Sequence, residues 1–397
     1  MQDNILQSTK QFFSKTCDIS YRFPVAFSRL MSLLDTDSFF QELFSEVSLR
    51  PTKECESYAN VLVALGMLDS RLCMFIVNEP STLAGAMTEG AILKIRRAQD
   101  LAITQRMPII YLVESAGLDL RQQAGGFVSV GHIFSNMARL SKQRIPQVSV
   151  CYGTATAGGA YLVGLADFTI LLAKKAQVFL AGPNLVSYAI GERNTPESLG
   201  GTELHQKSGL ADVVLEDARL IPQVLKNWLV YEKRWPQFVN YRDQTILSAC
   251  GDPEDLLASI SSDFRRMFSM PEVVSLLLDV DYHEYKPAAD SKILCLFAAI
   301  QGKPLGVIAN KAPIDTKAAY KVVQFIERCE SSGIPLLFLM HTTGFQVGRE
   351  AEASGIINAG SRMIQAVTNC EVPKITLQIG GAFGAGYYAM CGRPFGA

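Results

Sequence analysis

Short apolar runs alternate along the chain with segments whose apolar residues recur every three or four positions. The run "RLCMFIVNE" from Arg71 precedes "GAILKIRRAQDLAITQ", and "KPLGVIANK" from Lys303 precedes "TKAAYKVVQFIERCESS". The runs predict strands and the periodic segments predict helices. Strands that alternate with helices indicate right-handed βαβ units and a parallel sheet, and wholly apolar strands are covered on both faces. The pattern therefore predicts the α/β class.

The same order of elements occurs twice, at a constant offset. "MPIIYLVESAG" from Met107 corresponds to "IPLLFLMHTTG" from Ile334, and 334 − 107 = 227. Gly153 and Gly380 differ by the same number, since 380 − 153 = 227. A fixed offset of this kind is the signature of a duplicated structural unit. The chain is thus predicted to contain two copies of one domain.

Four segments follow from this interpretation. Residues 1–60 are predicted to be helical, 61–215 to form the first copy, 216–290 a helical connector, and 291–397 the second copy. The first copy continues past its Gly/Ala-rich stretch through "SGLADVV", whereas the sequence stops soon after the second such stretch. The second copy is therefore expected to be truncated.

In each copy a strand runs into a Gly/Ala-rich stretch, "GTATAGGAY" in the first and "GGAFGAGYY" in the second. A helix that begins at such a stretch directs backbone N–H groups and its dipole at one spot beyond the sheet. The candidate donors are the amides of Gly158, Gly159, Ala385 and Gly386. Tight packing of a helix on a strand would need the same small residues, and that alternative stays open at this point.

Preorganised amides stabilise an oxygen that becomes negative during a reaction, such as that of a thioester enolate. Each such donor contributes about 3–4 kcal/mol to the transition state. Two turns of this kind indicate two enolate-like oxygens. They favour group transfer between two carbonyl compounds.

Other catalytic and binding classes lack their motifs. The sequence contains neither G-x-S-x-G nor G-x-x-x-x-G-K-[ST], and no G-x-G-x-x-G follows the first strand. A net charge of −1 gives no reason to expect nucleic acid or an anionic membrane as partner. The nine cysteines include no C-x-x-C pair and the four histidines lack ligand spacing. A cytoplasmic, metal-free protein is expected.

Four polar or charged side chains are further candidates. Glu114 and His341 occupy equivalent strand ends, because 341 − 114 = 227. Their residue types differ, so we favour a structural or substrate-orienting role over catalysis. Lys94 and Arg97 on the first helix are candidate contacts for CoA phosphates. Solvated helix-face charge is the interpretation we favour for both.

Two long blocks identify a family. The first is "IFSNMARLSKQRIPQVSVCYGTATAGGAY", followed by "VFLAGPNLVSYAIGE" and "LGGTELHQKSGLADVV". The second is "IPLLFLMHTTGFQVGREAEASGIINAGSRMIQAVTNCEVPKITLQIGGAFGAGYYAMCGR". From about Phe27 to Ala397 the chain resembles the carboxyltransferase (beta) subunits of biotin-dependent acyl-CoA carboxylases, a branch of the crotonase superfamily. The resemblance implies two tandem crotonase-like (ClpP/crotonase) domains of repeated ββα units.

The resemblance also implies roles for the two turns. Gly158 and Gly159 correspond to the N-domain pair that holds the thioester oxygen of the acyl-CoA. Ala385 and Gly386 correspond to the C-domain pair that holds the ureido oxygen of carboxybiotin. The active site is expected at a dimer interface, between the N-domain of one subunit and the C-domain of another. Biotin itself takes the proton in such enzymes, so that no side-chain base is needed.

The biotin is expected to come from a partner chain. The sequence contains no "AMKM"-like biotinylation site and no ATP-binding signature. The resemblance therefore implies a biotin carboxylase and biotin carboxyl carrier subunit as partner. It also implies a homo-oligomer, a hexamer built from dimers.

The acyl substrate is less narrowly indicated. The resemblance assigns substrate contacts to Ala116, Gly117, Gly344, Phe345 and Tyr388. The run "AFGAGYYAMCGR" is similar to the methylcrotonyl-CoA and geranyl-CoA type, in which a bulky residue at the Tyr388 position reshapes the acyl pocket. "LAGAMTEGAILKI" is closer to the propionyl-CoA type. The subunit of a sodium-pumping acyl-CoA decarboxylase and a non-catalytic scaffold remain alternatives.

Overall fold

The computed structural model describes residues 19–45, 59–119, 121, 123–234, 251–260, 268–279, 282–290 and 292–396. The chain divides into two compact units. The first consists of Met1–His205 and Leu210–Leu229, and the second of Gln206–Gly209 and Val230–Ala397. Each unit contains one sheet with helices on both faces, which confirms the α/β class.

The sheet of the first unit is built from eight strands. They are β1 (Phe40–Glu42), β2 (Val61–Leu68), β3 (Arg71–Asn78), β4 (Ile109–Ser115), β5 (Gln147–Thr156), β6 (Phe168–Leu172), β7 (Gln177–Phe179) and β8 (Val213–Leu215). The helices over this part of the chain are α1 (Pro24–Met31), α2 (Glu89–Gln105), α3 (Gln123–Lys142), α4 (Gly158–Gly164), α5 (Pro183–Ile190), α6 (Pro196–Gly200), α7 (Thr202–Ser208) and α8 (Ile221–Arg234).

The strand order of this sheet is β1-β2-β3-β4-β5-β6-β8, and β7 also pairs with β5. The strands from β3 to β8 pair in parallel, as predicted, but β2 is antiparallel to both β1 and β3. Asp69 and Ser70 join β2 to β3 with φ of +51° and +57°. Two central residues with positive φ make the turn that matches the twist of a hairpin.

The second unit repeats this plan with five described strands. They are β9 (His283–Glu284), β10 (Ile293–Ile300), β11 (Lys303–Asn310), β12 (Leu336–Thr342) and β13 (Lys374–Ala382), in the order β13-β12-β11-β10-β9. The helices are α9 (Pro253–Ser259), α10 (Met270–Leu277), α11 (Thr316–Ser332), α12 (Arg349–Ala353), α13 (Ile356–Asn369) and α14 (Gly386–Ala389). The hairpin between β10 and β11 also turns on two residues with positive φ, Gln301 and Gly302.

Apolar side chains cover both faces of each sheet. In the first unit, Ile95 of α2 and Ile133 of α3 pack on one face, and Leu30 of α1 packs on the other. In the second, Phe325 of α11 packs on one face and Val273 of α10 on the other. Full burial of one such side chain contributes about 1.5–3 kcal/mol, so these layers hold the strand ends in fixed positions.

The prediction that residues 1–60 are helical is wrong for the described residues after α1. Helix α1 ends at Met31, and Phe40–Glu42 pairs with β2 as β1. After the helix, the Asp35 carboxylate accepts the N–H groups of Asp69 and Ser70 in the β2–β3 turn at 3.1 and 2.8 Å. Residues 1–18 and 46–58 of the predicted helical segment lie outside the described residues. Within the described ranges, none of the helices combines the length and the apolarity needed to cross a bilayer.

Candidate functional site

The first Gly/Ala turn joins β5 to α4. Ala157 has φ of +51° and ψ of −114°, and its N–H donates to the carbonyl of Phe179 at 3.1 Å. The Ala157 carbonyl accepts the N–H of Ala160 at 3.1 Å. Gly158 and Gly159 therefore occupy the first turn of α4, where a helix supplies no carbonyl acceptor for its own amides. Both amides are available to a ligand oxygen.

The two glycines of this turn are in different surroundings. A Cβ on Gly159 would lie 2.9 Å from the carbonyl oxygen of Ser115, so the backbone contact itself requires glycine. A Cβ on Gly158 would meet the terminal methyl of Met87 at 3.0 Å and the Phe134 ring at 3.7 Å. Close packing of α4 on β4 is therefore real at Gly159. It accompanies the donor geometry and does not replace it.

The loop after β4 lies against this turn. Ser115 Oγ accepts the N–H of Gly117 at 3.2 Å, and Gly117 has φ of +93°. A Cβ on Gly117 would lie 3.0 Å from the Thr156 carbonyl oxygen at the end of β5. Ala116 is exposed, and its N–H donates to the carbonyl of Ala84 at 3.0 Å. The structure thus brings Ala116 and Gly117 beside the first donor pair.

The second turn, between β13 and α14, repeats the geometry of the first. Gly384 has φ of +57°, close to the +51° of Ala157, and its carbonyl accepts the N–H of Tyr387 at 3.2 Å. Ala385 is helical, with φ of −68° and ψ of −14°. Its amide and that of Gly386 therefore occupy the positions of the first donor pair.

The loop after β12 supports the second turn as the loop after β4 supports the first. A Cβ on Gly386 would lie 2.7 Å from the Cα of Gly344 and 2.8 Å from Thr342 Oγ1. Thr342 Oγ1 accepts the N–H of Gly344 at 3.0 Å, and Gly344 has φ of +109°. The ring of Phe345 lies under Gly360 of α13, where a Cβ would approach it to 3.0 Å. Gly344 is thus next to the second turn, and the Phe345 ring packs against α13.

Backbone contacts around the turns also repeat at the same offset. Met87 bridges Leu118 in the first unit, and Ile314 bridges Phe345 in the second. Both members of the bridge differ by 227, since 314 − 87 = 227 and 345 − 118 = 227. The two turns therefore share one local backbone structure.

A tyrosine follows each donor pair. Tyr388 is 45% exposed and Tyr161 is 46% exposed, and 388 − 161 = 227. The Tyr161 ring contacts Phe134 with centroids 5.5 Å apart, and the Tyr388 ring contacts Phe395 at the same separation. The sequence analysis predicted a substrate contact for Tyr388 and none for Tyr161. The offset of 227 residues between the two copies would have identified Tyr161 as its equivalent.

Glu114 and His341 are each held within their own unit. Glu114 forms an ion pair with Arg29 of α1, whose guanidinium lies 4.4 Å from the centre of the Tyr152 ring. His341 is buried; its Nδ1 accepts the N–H of Gly381 at 2.9 Å, and its ring stacks on Phe268. These contacts favour the structural or orienting role over a catalytic one.

Lys94 has neither of the two roles considered for it. It is 2% exposed, and its Nζ donates to the Val61 carbonyl at 3.2 Å and lies 5.3 Å from the centre of the Phe23 ring. Burial lowers its pKa from 10.5 to about 8, against a smaller opposing effect of Glu42. It is therefore a core lysine and not a phosphate contact. Arg97 is exposed.

The strand that leads into the first turn contributes no titrating group at neutral pH. Burial raises the pKa of Cys151 to about 12 and that of Tyr152 to about 12. All six described cysteines are buried, and none of them forms a disulfide. Within the described ranges no cluster of three or more His, Cys, Asp or Glu residues could hold a metal ion. The electrostatics at the turns are those of backbone amides and helix dipoles.

Comparisons with known proteins identify the family of the chain. The profile of the family described as "Carboxyl transferase domain" matches residues 24–397. A probable biotin-dependent acyl-coenzyme A carboxylase beta2 subunit of Mycobacterium tuberculosis is 36% identical over 378 residues, covering 92% of this chain and 69% of that protein. The mitochondrial methylcrotonoyl-CoA carboxylase beta chain of Dictyostelium discoideum is also 36% identical over 378 residues, covering 92% of this chain and 63% of that protein. The chain thus spans about two thirds of these relatives.

A solved structure has the same fold. It is transcarboxylase 12S, described as a hexamer with methylmalonyl-coenzyme A and methylmalonic acid bound. The TM-score is 0.84 at 26% identity, and the match covers 100% of this chain and 81% of that one. The expectation of tandem crotonase-like domains is confirmed by this similarity.

Proposed function

This chain belongs to the carboxyl transferase domain family of biotin-dependent acyl-CoA carboxylases, and on that premise we propose that it transfers a carboxyl group from carboxybiotin to an acyl-CoA through a thioester enolate. The observation that supports this most is the pair of matching Gly/Ala turns, one in each unit. Each turn offers two amides of one helix first turn to a single oxygen. A transfer between two carbonyl compounds needs one such donor pair for each.

The first turn is proposed to hold the thioester oxygen. The amides of Gly158 and Gly159 would donate to it as it becomes negative, and the absence of side chains there leaves room for the close approach. Met87 and Phe134 form an apolar wall beside Gly158. Ala116 and Gly117, next to this turn, are proposed to contact the substrate.

The second turn is proposed to hold the ureido oxygen of biotin. Ala385 and Gly386 are the donors, and Gly386 packs so closely on Gly344 that a Cβ there would displace the turn. Two neighbouring backbone amides are suited to a carbonyl oxygen such as that of the ureido group. Carboxybiotin, when bound, supplies the carbon dioxide and the basic nitrogen that accepts the substrate proton. The chain's own part is to bind, orient and stabilise, which agrees with the neutral side chains of the strand before the first turn.

We propose a branched or unsaturated acyl-CoA, such as 3-methylcrotonyl-CoA, as substrate. Relatives named methylcrotonoyl-CoA carboxylase beta chains are 34–36% identical to this chain. The exposed ring of Tyr388, next to the second turn, gives the pocket a bulky apolar border. Gly344 and Phe345 are proposed to complete that side.

The partners follow from the chemistry. Biotin is proposed to arrive on a biotin carboxylase and carrier subunit, because the sequence contains no biotinylation motif. A hexamer built from dimers is proposed from the similarity to transcarboxylase 12S, whose structure is described as a hexamer assembly. The N-terminal unit of one subunit and the C-terminal unit of another are then proposed to share each active site.

The test is a panel of acyl-CoAs offered to the chain with a carboxylated biotin carrier protein. Mass spectrometry detects the added carboxyl group on 3-methylcrotonyl-, geranyl-, propionyl- and acetyl-CoA. We expect carboxylated 3-methylcrotonyl-CoA or geranyl-CoA as the main product. Propionyl-CoA as the main product would replace the proposed substrate. Loss of the carboxyl group from methylmalonyl-CoA alone would indicate the decarboxylase direction, and no reaction with retained fold would favour a scaffold.

A further inference from the structure

A bulge in β13 comes just before the second turn. Met340 pairs with Gln378 and Thr342 pairs with Ala382, so that the single residue His341 stands opposite residues 379–381. Bulges of this kind redirect a strand and are common beside active sites. The direction in which β13 enters the turn therefore depends on what holds the bulge.

The backbone of His341 is held by an amide side chain from the neighbouring strand. Asn310, at the end of β11, is fully buried. Its Oδ1 accepts the N–H of His341 at 3.1 Å, and its Nδ2 donates to the His341 carbonyl. Strand β11, on the side of β12 opposite to β13, ends at Asn310, and the Asn310 side chain bonds the two His341 groups there in place of a further backbone partner.

The His341 side chain holds the bulged strand. Its Nδ1 accepts the N–H of Gly381 at 2.9 Å, and its ring fills the space over Gly380, where any Cβ would collide with it. An imidazole whose Nδ1 accepts a hydrogen bond has its proton on Nε2 and is neutral. Phe268 covers the ring with centroids 4.5 Å apart and planes 14° apart.

From Gly381 the chain reaches the donor amides in five residues. Phe383 donates its N–H to the carbonyl of Thr342, the residue after His341, at 3.1 Å. Gly384 then takes its positive φ, and Ala385 and Gly386 follow. The pairing of Thr342 with Ala382 also ties this segment to β12, so His341 and the residue after it hold β13 just before the turn.

In the first unit, a charged side chain holds the equivalent bulge. Val113 pairs with Cys151 and Ser115 with Ala155, so that Glu114 stands opposite the equivalent bulge in β5. Glu114 packs over Gly153 and forms an ion pair with Arg29. One bulge is held by an ion pair to α1, and the other by a neutral ring that accepts a backbone hydrogen bond.

We propose that His341 is a positioning residue for the second turn: its Nδ1 fixes the Gly381 amide and thereby aims the amides of Ala385 and Gly386. The part that concerns ligand binding rests on the proposed function, in which this turn holds the ureido oxygen of biotin. His341 touches neither substrate nor biotin in this account. Its effect is confined to the second turn.

Three variants of the full chain separate the hydrogen bond from the volume of the ring. His341→Asn retains an acceptor close to the Nδ1 position, His341→Leu retains volume without an acceptor, and His341→Ala removes both. Hydrogen–deuterium exchange followed by mass spectrometry reports on the turn itself. We expect amides of residues 381–390 to exchange at least tenfold faster in the Leu and Ala variants and near the wild-type rate in the Asn variant. Residues 154–163, the equivalent stretch of the first unit, are the internal control and should stay unchanged.

The second readout is carboxyl transfer from carboxylated 3-methylcrotonyl-CoA to free biotin. The C–C bond to the carboxyl group breaks, an N–C bond to biotin forms, and the biotin nitrogen's proton passes to the acyl carbon. We expect His341→Leu to raise the KM for biotin at least tenfold and to leave the KM for the acyl-CoA within twofold of the wild-type value. In His341→Asn the KM for biotin should lie within threefold of the wild-type value.

Unchanged exchange in folded His341→Leu, or equal acceleration in both turns, would overturn the positioning role. A KM change shared equally by biotin and acyl-CoA would overturn its restriction to the second turn. If the wild type transfers no carboxyl group, the proposed function fails, and the exchange experiment still decides whether His341 positions the turn.

Discussion

Replacement of Gly159 by Ala tests whether the position of the first turn matters for the reaction. The new Cβ would lie 2.9 Å from the Ser115 carbonyl oxygen and 3.0 Å from the Ser115 Cβ, whereas ordinary contact begins at 3.4 Å. The difference, 3.4 − 2.9 = 0.5 Å, must be absorbed by moving α4 away from β4. Overpacking of this kind costs about 1–3 kcal/mol of stability. It also displaces the amides that would face the thioester oxygen.

The expected result is a large loss of kcat together with a small loss of stability. Removal or displacement of one oxyanion donor lowers kcat by about 10²–10³-fold. The same variant should lower Tm by about 2–4 °C for each kcal/mol lost. Carboxyl transfer is assayed with 3-methylcrotonyl-CoA, and Tm by calorimetry, on the same preparation.

Two further glycine variants serve as controls. In Gly158→Ala the one contact closer than 3.4 Å is with the flexible end of Met87 at 3.0 Å, so we expect less than a tenfold loss of kcat. Gly131→Ala, on α3, meets nothing within 4 Å and should leave kcat unchanged. The reasoning would be refuted if folded Gly159→Ala kept wild-type kcat, or if Gly158→Ala lost as much activity as Gly159→Ala.

Three other predictions concern the core and the acyl pocket. Burial lowers the pKa of Lys94 from 10.5 to about 8 in the folded chain. Between pH 8 and 10.5 the unfolded chain therefore binds more protons than the folded one. The free energy of unfolding should rise with pH over this range by about 3 kcal/mol in total. Denaturant titrations at pH 7.5 and 10 should show this rise in the wild type, and a Lys94→Met variant with the same rise would contradict it. Tyr161→Ala should raise kcat/KM for geranyl-CoA relative to 3-methylcrotonyl-CoA about tenfold, since loss of the exposed ring opens the wall beside Phe134. Tyr388→Asp should shift the substrate preference towards propionyl-CoA. Unchanged ratios of kcat/KM between the acyl-CoAs in both variants would show that neither tyrosine borders the acyl pocket.

The turns were predictable because their conformation is encoded locally. Glycine at a positive φ or under a close backbone contact leaves a residue-type signature, as at Gly117, Gly159, Gly344 and Gly386. A second copy at an offset of 227 then made the signature specific. The sequence could not separate donor geometry from close packing, since Gly159 meets both requirements in the structure.

The features that were missed depend on partners distant in sequence. Strands β2 and β10 are as apolar as the parallel strands beside them, so periodicity gave no sign that they run antiparallel. Lys94 looked like a surface charge because its acceptor, Val61, and its aromatic cover, Phe23, come from other segments. The hydrogen-bond partners of His341 were not predictable either, because Asn310 and Gly381 lie 31 and 40 residues away.

Transfer of a labelled carboxyl group between an acyl-CoA and biotin tests the central claim most directly. The chain is incubated with ¹³C-carboxylated 3-methylcrotonyl-CoA and free biotin, and mass spectrometry follows the label and the decarboxylated acyl-CoA. We expect transfer by the wild type, and a loss of at least a hundredfold in both Gly159→Ala and Gly386→Ala. Undiminished transfer in both folded variants would contradict the claim that the two Gly/Ala turns are the reacting site.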